Sequence, residues 1–421
     1  MGACLLSPKN LTEEAAASRN MSSSPSAGIE VALLTGGFDK PYTFGLAMAL
    51  TAKDVSLDVI GSDDVDSPEM HTTTRLNFIN LRGSKREAGF ARKMARVLIY
   101  YARLFRYAAA AEAKIFHILW NNKFEFIDRT VILLYYKLLG KKVVLTAHNV
   151  NAGKRDSNDS LLNRSTLRLQ YLLTDHIFVH TERMKNELWQ DFGVKEEKVT
   201  VIPFGINNAV PRTDLSPREA KQRLGIRSDE RTILFFGAIR PYKGLEYLVS
   251  AFQQLVVTHP EYRLIIAGEP RKESEQYSAE IQRAINGHAS RDQVLQKFQY
   301  IPDEETELYF KAADVLALPY THVFQSGVLF LGYSFGLPVV GAEVGSVREE
   351  IIEGRTGFLC KPCHSADLAR AIEKYFESDL FKNLENRRQD ICDYANAKHS
   401  WDIVGEKTRD VYARLLGVRG I

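Results

Sequence analysis

Cysteine is scarce in this chain, with only 4 in 421 residues, at Cys4, Cys360, Cys363 and Cys392. That is too few and too scattered for a disulfide-stapled secreted domain, and it agrees with a reducing compartment. Cys360 and Cys363 do form a Cys-x-x-Cys, but the pair follows a Gly-Phe-Leu strand and has no second pair for zinc, so neither redox nor metal chemistry is assigned to it. Long apolar runs are also missing. Val131–Leu139 is short and carries Lys137, and Tyr107–Trp120 is broken by Glu112 and Lys114, so nothing approaches the roughly 20 residues of a membrane span. An excess of one charge is lacking as well: 55 basic against 52 acidic side chains leave a net +3, which argues against nucleic acid as the main partner. The N-terminus shows no basic stretch followed by an apolar core, and a cytoplasmic location is the expectation. Gly2 is followed by Leu6 where a myristoylation pattern wants Ser or Thr, so a leader, or a start at Met21, is the reading preferred there.

What is present is ordinary globular material, 45% hydrophobic and 25% charged, in a length that suggests two to three domains at roughly 150 residues each. Residues 1–28, rich in Ser, Ala, Asn and Pro, are expected to be a disordered tail. From Ile29 onward β-rich runs alternate with helical patterns: Ile29–Thr35, Val55–Gly61, Leu76–Asn80, Lys114–Trp120, Lys142–Ala147, His176–His180 and Val199–Pro203. A turn-rich break, Phe204–Pro211, precedes a second series: Thr232–Gly237, Tyr262–Gly268, Lys297–Ile301, Val315–Pro319, Pro338–Gly341 and Gly357–Cys360. Such alternation predicts an α/β fold of two Rossmann-like doubly wound units, with ligands beyond the carboxyl ends of their strands.

The run ending in Gly36 and Gly37 leads into a helix expected over Thr43–Lys53, and its bare N–H groups can face an anion. It lacks the Gly-x-Gly-x-x-Gly of a nicotinamide site, which demotes dinucleotide binding. In the second unit Phe235-Phe-Gly-Ala-Ile-Arg-Pro-Tyr-Lys-Gly244 sets Gly237, Arg240 and Lys243 at a strand-to-helix turn. Two cations there suit a diphosphate, the Arg gripping oxygens and the Lys supplying a point charge. A solvated pair at a turn fits those residues equally well.

Together with Val201-Ile-Pro-Phe-Gly-Ile-Asn207 and Phe335-Gly-Leu-Pro-Val-Val-Gly341, followed by Gly345 and Glu349, this run resembles the retaining nucleotide-sugar glycosyltransferases of the GT-B fold, the large class-four family, across roughly Ile29 to Leu416. The resemblance implies an acceptor-binding domain over 29–205, a donor-binding domain over 206–397 and a helix over 398–421 that crosses back to the first. It implies a nucleoside-diphosphate-sugar donor, a glycan or lipid-linked acceptor, and no cofactor or obligatory metal. Arg240 and Lys243 would grip the donor diphosphate, and His148 would face the donor sugar as a third catalytic residue.

Two departures stand out. Ala238 occupies the place where the family's arginine directly follows the glycine, and Val323 and Leu331 fall where it usually carries two glutamates. Gln325, Ser326, Gly327 and Val328 are left to contact the donor through backbone N–H groups and the Gln325 amide, unless the segment is a plain helix start. After His148, Asn149, Asn151 and Arg155 are candidates for the acceptor, against an ordinary solvated loop. The family picture is a front-face displacement, so no catalytic carboxylate is nominated. Two other readings stay open: a sugar-nucleotide-binding partner protein with weak or no activity, favoured by Val323 and Leu331, and a nucleotide-sugar epimerase, which would convert the donor alone.

Lys85–Arg106 carries seven basic side chains against the single acid Glu87, a local +6. At about 100° per residue Arg92, Arg96, Arg103 and Arg106 share one stripe, with Phe90, Met94, Val97, Tyr101, Leu104 and Phe105 opposite. Such a helix fits an anionic membrane surface, or the sheet of its own domain.

Overall fold

The computed structural model describes residues 28–37, 39–83, 90–122, 124–155, 159–206 and 210–418. Residues 1–27 of the tail expected over 1–28, Lys85–Gly89, Asn207 and residues 419–421 of the expected last helix lie outside the described residues.

Among the described residues thirteen strands form two all-parallel sheets. Strands β1 (Glu30–Leu34), β2 (Ser56–Gly61), β3 (Leu76–Asn80), β4 (Ile115–Ile118), β5 (Lys142–Thr146), β6 (His176–Val179) and β7 (Val199–Val201) make the first, in the order β3-β2-β1-β4-β5-β6-β7. The second, in the order β10-β9-β8-β11-β12-β13, contains β8 (Arg231–Phe236), β9 (Tyr262–Ala267), β10 (Val294–Lys297), β11 (Val315–Leu318), β12 (Val339–Ala342) and β13 (Gly357–Cys360). In both, the order reverses beside the first strand of the sheet, which opens a crevice there. One predicted strand is displaced: Lys297–Ile301 meets the observed β10 only at Lys297. Its Phe298 and Ile301 look like strand residues because they are apolar, but they leave the ladder to pack on the core from a loop.

The residues dictate this layering. Val31 and Leu33 of β1 join one buried cluster while Ala32 and Leu34 join another, and Val144 is divided in the same way from Val143 and Leu145. Alternate side chains therefore fill two faces, as a sheet covered by helices on both sides requires. Helix α1 (Lys40–Thr51) covers one face and starts before the expected Thr43, because Asp39 caps it by accepting from the Tyr42 N–H at 3.1 Å. The other face is covered by α2 (Phe90–Ala110), α3 (Leu133–Leu138) and α4 (Leu161–Leu173). Tyr101 and Leu104 of α2 are buried in that core, with Val97 and Phe105 packed against it. These four members of the apolar stripe read on the basic helix are thus taken up by its own sheet.

In the second half α5 (Gly327–Ser334) follows β11, and α6 (Leu384–His399) leads into the last helix, α7 (Trp401–Leu416). Helix α7 lies against the first sheet, where Val404, Val411 and Tyr412 share the core of β1 and α1. The Trp401 indole rests over Gly45 and Gly205, where any Cβ would collide with it, and its Nε1–H donates to the Ile206 carbonyl at 3.0 Å. Tyr412 reaches the buried His117 at 2.6 Å. A chain end sequence-distant from β1 therefore completes the first core.

Candidate functional site

At the carboxyl end of β8 the backbone turns at Gly237 (φ 95), and Ile239 bridges to the neighbouring loop, its N–H donating to the Glu269 carbonyl at 2.9 Å. Arg240 then enters a short turn, Pro241–Lys243, which Gly244 closes at φ 64. A Cβ at Gly244 would strike the Pro319 carbonyl, so the glycine that ends this motif is required by close approach as well as by its dihedral. Lys243 is buried. A Cβ on Gly237 would stand 2.9 Å from its Nζ and 3.3 Å from Val328 Cγ2, so the bare glycine leaves room for the ammonium. The rings of Phe235 and Tyr320 lie 5.9 Å from that nitrogen. Burial first, then the like charges of Arg240 and Arg271, push the lysine down to about 8. A cation so destabilised is poised to gain from an arriving anion.

Arg240 is partly exposed and pairs with Glu273 at 3.2 Å. Arg271 was not foreseen, since it belongs to the loop after β9 and nothing local marks it. Beyond Tyr320, the Ser326 hydroxyl caps α5, accepting from Leu329 N–H at 3.4 Å, so this side chain serves its own helix. Gly327 is exposed with open space around it, and the opening N–H groups of a helix have no intrahelical partner. Gln325 Oε1 is buried with no hydrogen-bond partner among the described residues. The motifs thus bring Gly237, Lys243 and Val328 together. Val323 and Leu331 are both buried; Leu331 borders a cavity of about 240 Å³ together with Gly237, Glu269, Tyr300 and Asp303.

On the first sheet His148 follows β5. Its ring stacks on Trp120 at 4.2 Å with the planes 4° apart, and Tyr42 meets it edge-on at 4.6 Å. Hydrogen bonds fix its tautomer. The Ile202 carbonyl can only accept, so His180 Nδ1 donates to it at 3.3 Å and leaves His180 Nε2 as an acceptor. His148 Nδ1, 3.0 Å away, must then carry the proton. His148 Nε2 is left as a buried lone pair with no partner among the described residues. Burial, with His180 and His117 nearby, holds His148 well below the ordinary histidine value, so the ring is neutral.

His148 borders a cavity of about 370 Å³ that Asn121, Asn122, Arg129, Asn149 and Gln170 also line. The remaining candidates divide. Asn151 turns inward, and its Oδ1 accepts from Asn163 at 2.9 Å and from the Lys154 N–H at 3.3 Å, so it holds the loop rather than lining the cavity. The Arg155 side chain lies outside the described residues. Gly36 and Gly37, at φ 61 and 74, sit against Trp120 and Arg82 on the His148 side. Trp120, His180, Arg129 and Gln170 escaped the sequence because they come from four separate segments. Between the two sheets Phe204 stacks on Phe330 at 5.4 Å, and His399 joins Glu350 at 2.9 Å. Glu350, one residue beyond the Glu349 of the motif, is the buried carboxylate of that segment; burial raises it, but His399 and Lys398 hold it below the usual range.

Two family models match this chain: Glycosyltransferase Family 4 over residues 40–210 and Glycosyl transferases group 1 over residues 217–397. The chain belongs to the group 1 glycosyltransferases of the GT-B fold, enzymes that act on sugar nucleotides. An uncharacterized glycosyltransferase of Methanocaldococcus jannaschii is 25% identical over 288 residues, 66% of this chain and 70% of the relative. A D-inositol 3-phosphate glycosyltransferase of Acidothermus cellulolyticus is 28% identical over 215 residues, 50% of this chain and 47% of that protein. In fold the chain is similar to Anabaena HepE, solved with UDP and glucose, at a TM-score of 0.72 and 16% identity, covering 92% of this chain and 100% of HepE. Sucrose-phosphate synthase from Thermosynechococcus elongatus gives a TM-score of 0.72 at 19% identity, over 92% and 99% of the two chains.

Proposed function

We propose that this glycosyltransferase moves a hexose from a nucleoside diphosphate to a polyhydroxylated acceptor, a glycan or a lipid-linked sugar, with retention of configuration. The observation that carries this reading is the buried Lys243 ammonium beside the bare backbone of Gly237 and the start of α5. Lys243 and Arg240 take the diphosphate, helped by the N–H groups of Gly327 and Val328, and the Gln325 amide faces the sugar. His148 Nε2 accepts from a sugar hydroxyl and so orients the donor. The acceptor occupies the 370 Å³ cavity, whose amides suit hydroxyl groups and whose Arg129 is neutralised by Glu125 on the same wall. The relatives named D-inositol 3-phosphate glycosyltransferases support an acceptor of that kind. In the reaction the bond from the anomeric carbon to the phosphate oxygen breaks as the acceptor oxygen bonds to the same face. The acceptor's proton passes to the departing diphosphate, whose growing charge Lys243 and Arg240 stabilise. Glu269 and Asp303 border the cavity next to Leu331 and take over the ribose hydroxyls that Leu331 cannot accept from.

Titration calorimetry with UDP, GDP, ADP and their glucose conjugates tests the donor site. One nucleotide should bind, and Lys243→Ala should weaken it roughly 100-fold through loss of charge-assisted bonds. Equal binding by wild type and variant would refute the assignment. Tight binding without transfer to any glycan or lipid-linked acceptor would favour the partner-protein reading, to which Val323 and Leu331 lend weight. NMR of the product anomer tests retention.

A further inference from the structure

The outer surface of the first half departs from what solvated helices show. On α3 and the turn before it Val131, Leu134 and Leu138 point outward at helical spacing, Leu138 with 85% of its surface exposed, while Ile132, Leu133 and Tyr136 fill the core behind them. On α4 Leu161 and Leu172 are 85% and 72% exposed and share a stripe with Arg168, while Leu167 and Tyr171 face inward. On α2 Leu98 and Ile99 stand exposed among the arginines. A soluble helix places its leucines on the opposite side.

These stripes make one face. The Tyr135 hydroxyl donates to the Phe105 carbonyl at 3.3 Å and its ring meets Phe105 at 4.7 Å, which ties α3 to α2. Arg129, one turn before α3, donates to Asn163 of α4 at 2.9 Å. All three helices bury their inner sides in the same core, so their outer sides look the same way. The three helices carry charge of one sign, although Glu125, before α3, pairs with Arg129. Helices α2, α3 and α4 contain eight Lys and Arg residues and no Asp or Glu. Arg92, Arg103 and Arg106 are exposed on α2, as are Arg164 and Arg168 on α4, with α3 and its outward leucines between them. Arg164 pairs with Asp159 and Lys137 with Asp175 from outside the helices.

We propose that this three-helix face docks the chain on an anionic lipid bilayer, the leucines entering the interface and the flanking arginines meeting the headgroups. Exposed apolar area ringed by cations is the pattern such a surface rewards. A second copy of the chain is the poorer occupant, because a two-fold contact on this face would set arginine against arginine. The same segments supply Arg129, Gln170 and Tyr171 from their inner sides to the cavity beside His148. An acceptor headgroup can therefore enter that cavity while its lipid stays in the bilayer, a consequence that rests on the transferase reading, whereas the docking does not.

Co-sedimentation with vesicles tests the docking. The full chain should bind vesicles of phosphatidylcholine with phosphatidylglycerol, bind phosphatidylcholine alone more weakly, and loosen from the former at high salt. Leu134→Glu/Leu138→Glu should lower the affinity roughly 100-fold with its circular dichroism and nucleotide binding unchanged. Should that variant misfold, Arg103→Gln/Arg106→Gln replaces it, with loss of the preference for anionic vesicles as the expected result. Lys243→Ala should bind vesicles like wild type, so failure of the donor site and failure of the docking face are told apart. Absence of binding to anionic vesicles overturns the proposal, as does binding that survives both double substitutions. Concentration-dependent self-association abolished by the leucine substitutions, without vesicle binding, would make the face a subunit contact instead.

Discussion

Lys243 and His148 are both buried beyond the carboxyl ends of parallel strands, yet one keeps its charge and the other gives it up. Lys243 stands with Arg240 and Arg271 and remains a cation up to about pH 8, destabilised by burial and by its neighbours. His148 lies between Trp120, Tyr42 and His180, and burial makes it neutral with a single lone pair left over. The first arrangement answers a fixed negative charge, the second a directed hydroxyl. A transferase needs both, because the leaving group must be neutralised and the sugar must be oriented.

The largest test removes what joins the halves. Trp401→Ala leaves the space over Gly45 and Gly205 empty and the Ile206 carbonyl without its donor, and should lower stability by about 3 kcal/mol in urea unfolding. Loss of the first core with the second intact would show α7 to be a clasp for the first sheet alone. Next, Lys243→Ala should cost roughly 2–3 kcal/mol of nucleotide affinity, whereas His148→Ala should leave nucleotide affinity nearly unchanged and reduce kcat. If both variants lost nucleotide binding equally, the division between a charged and a neutral half would fall.

The pH dependences have opposite senses. Above about 8 Lys243 loses its proton, so nucleotide affinity should fall up to tenfold per pH unit, and Arg271→Ala should move that midpoint upward by removing a like charge. Without nucleotide, the unfolded chain holds the lysine proton more firmly than the folded one between about 8 and 10.5, so this group makes stability rise with pH across that range. On the first sheet His176 and His180 are depressed to about 4 and His117 to about 3, each chiefly by burial. The unfolded chain therefore takes up protons below about 6.5 that the folded chain refuses, and stability should drop by about 1.4 kcal/mol per pH unit for each of them. Thermal melts from pH 7 to 5 check this; a flat profile would mean that the cluster is hydrated.

The smallest expected effect is at His180. His180→Phe removes the acceptor that fixes the His148 tautomer and should lower kcat by about tenfold, on the order of 1 kcal/mol, with nucleotide affinity unchanged. His180→Gln keeps an acceptor for His148 Nδ1 and should recover part of the rate, which a purely packing role for His180 would not predict.

The two halves also differ in how far they can be read from sequence. Gly237, Arg240 and Lys243 lie within one strand-to-helix turn, so their convergence follows from local geometry, and twelve of the thirteen described strands announce themselves by β-rich runs between helical patterns. The missed strand, β10, is only half-buried along its length, and its apolar signal is weaker than that of the loop after it. The His148 group draws Tyr42, Trp120, His180 and Phe204 from four connections of the sheet, and Arg271 reaches Lys243 from a neighbouring strand's loop. No spacing rule links such residues, because strand order, not chain order, sets their neighbours. Asn151 and Ser326 show the same limit: both are polar residues in the right loops, and both are spent on holding those loops.

What the amino-acid sequence determined by itself is the alternation that makes two parallel sheets and the cationic turn after β8 with the glycines that bracket it. These rest on short-range sterics and on apolar periodicity, which the chain carries residue by residue. The tertiary structure alone decided that Trp401 fills the space over Gly45 and Gly205, that His148 is neutral with one tautomer, and that three helices turn leucines outward between arginines. Each of those depends on which buried face a group meets, and burial is a property of the packed chain, not of any segment in it.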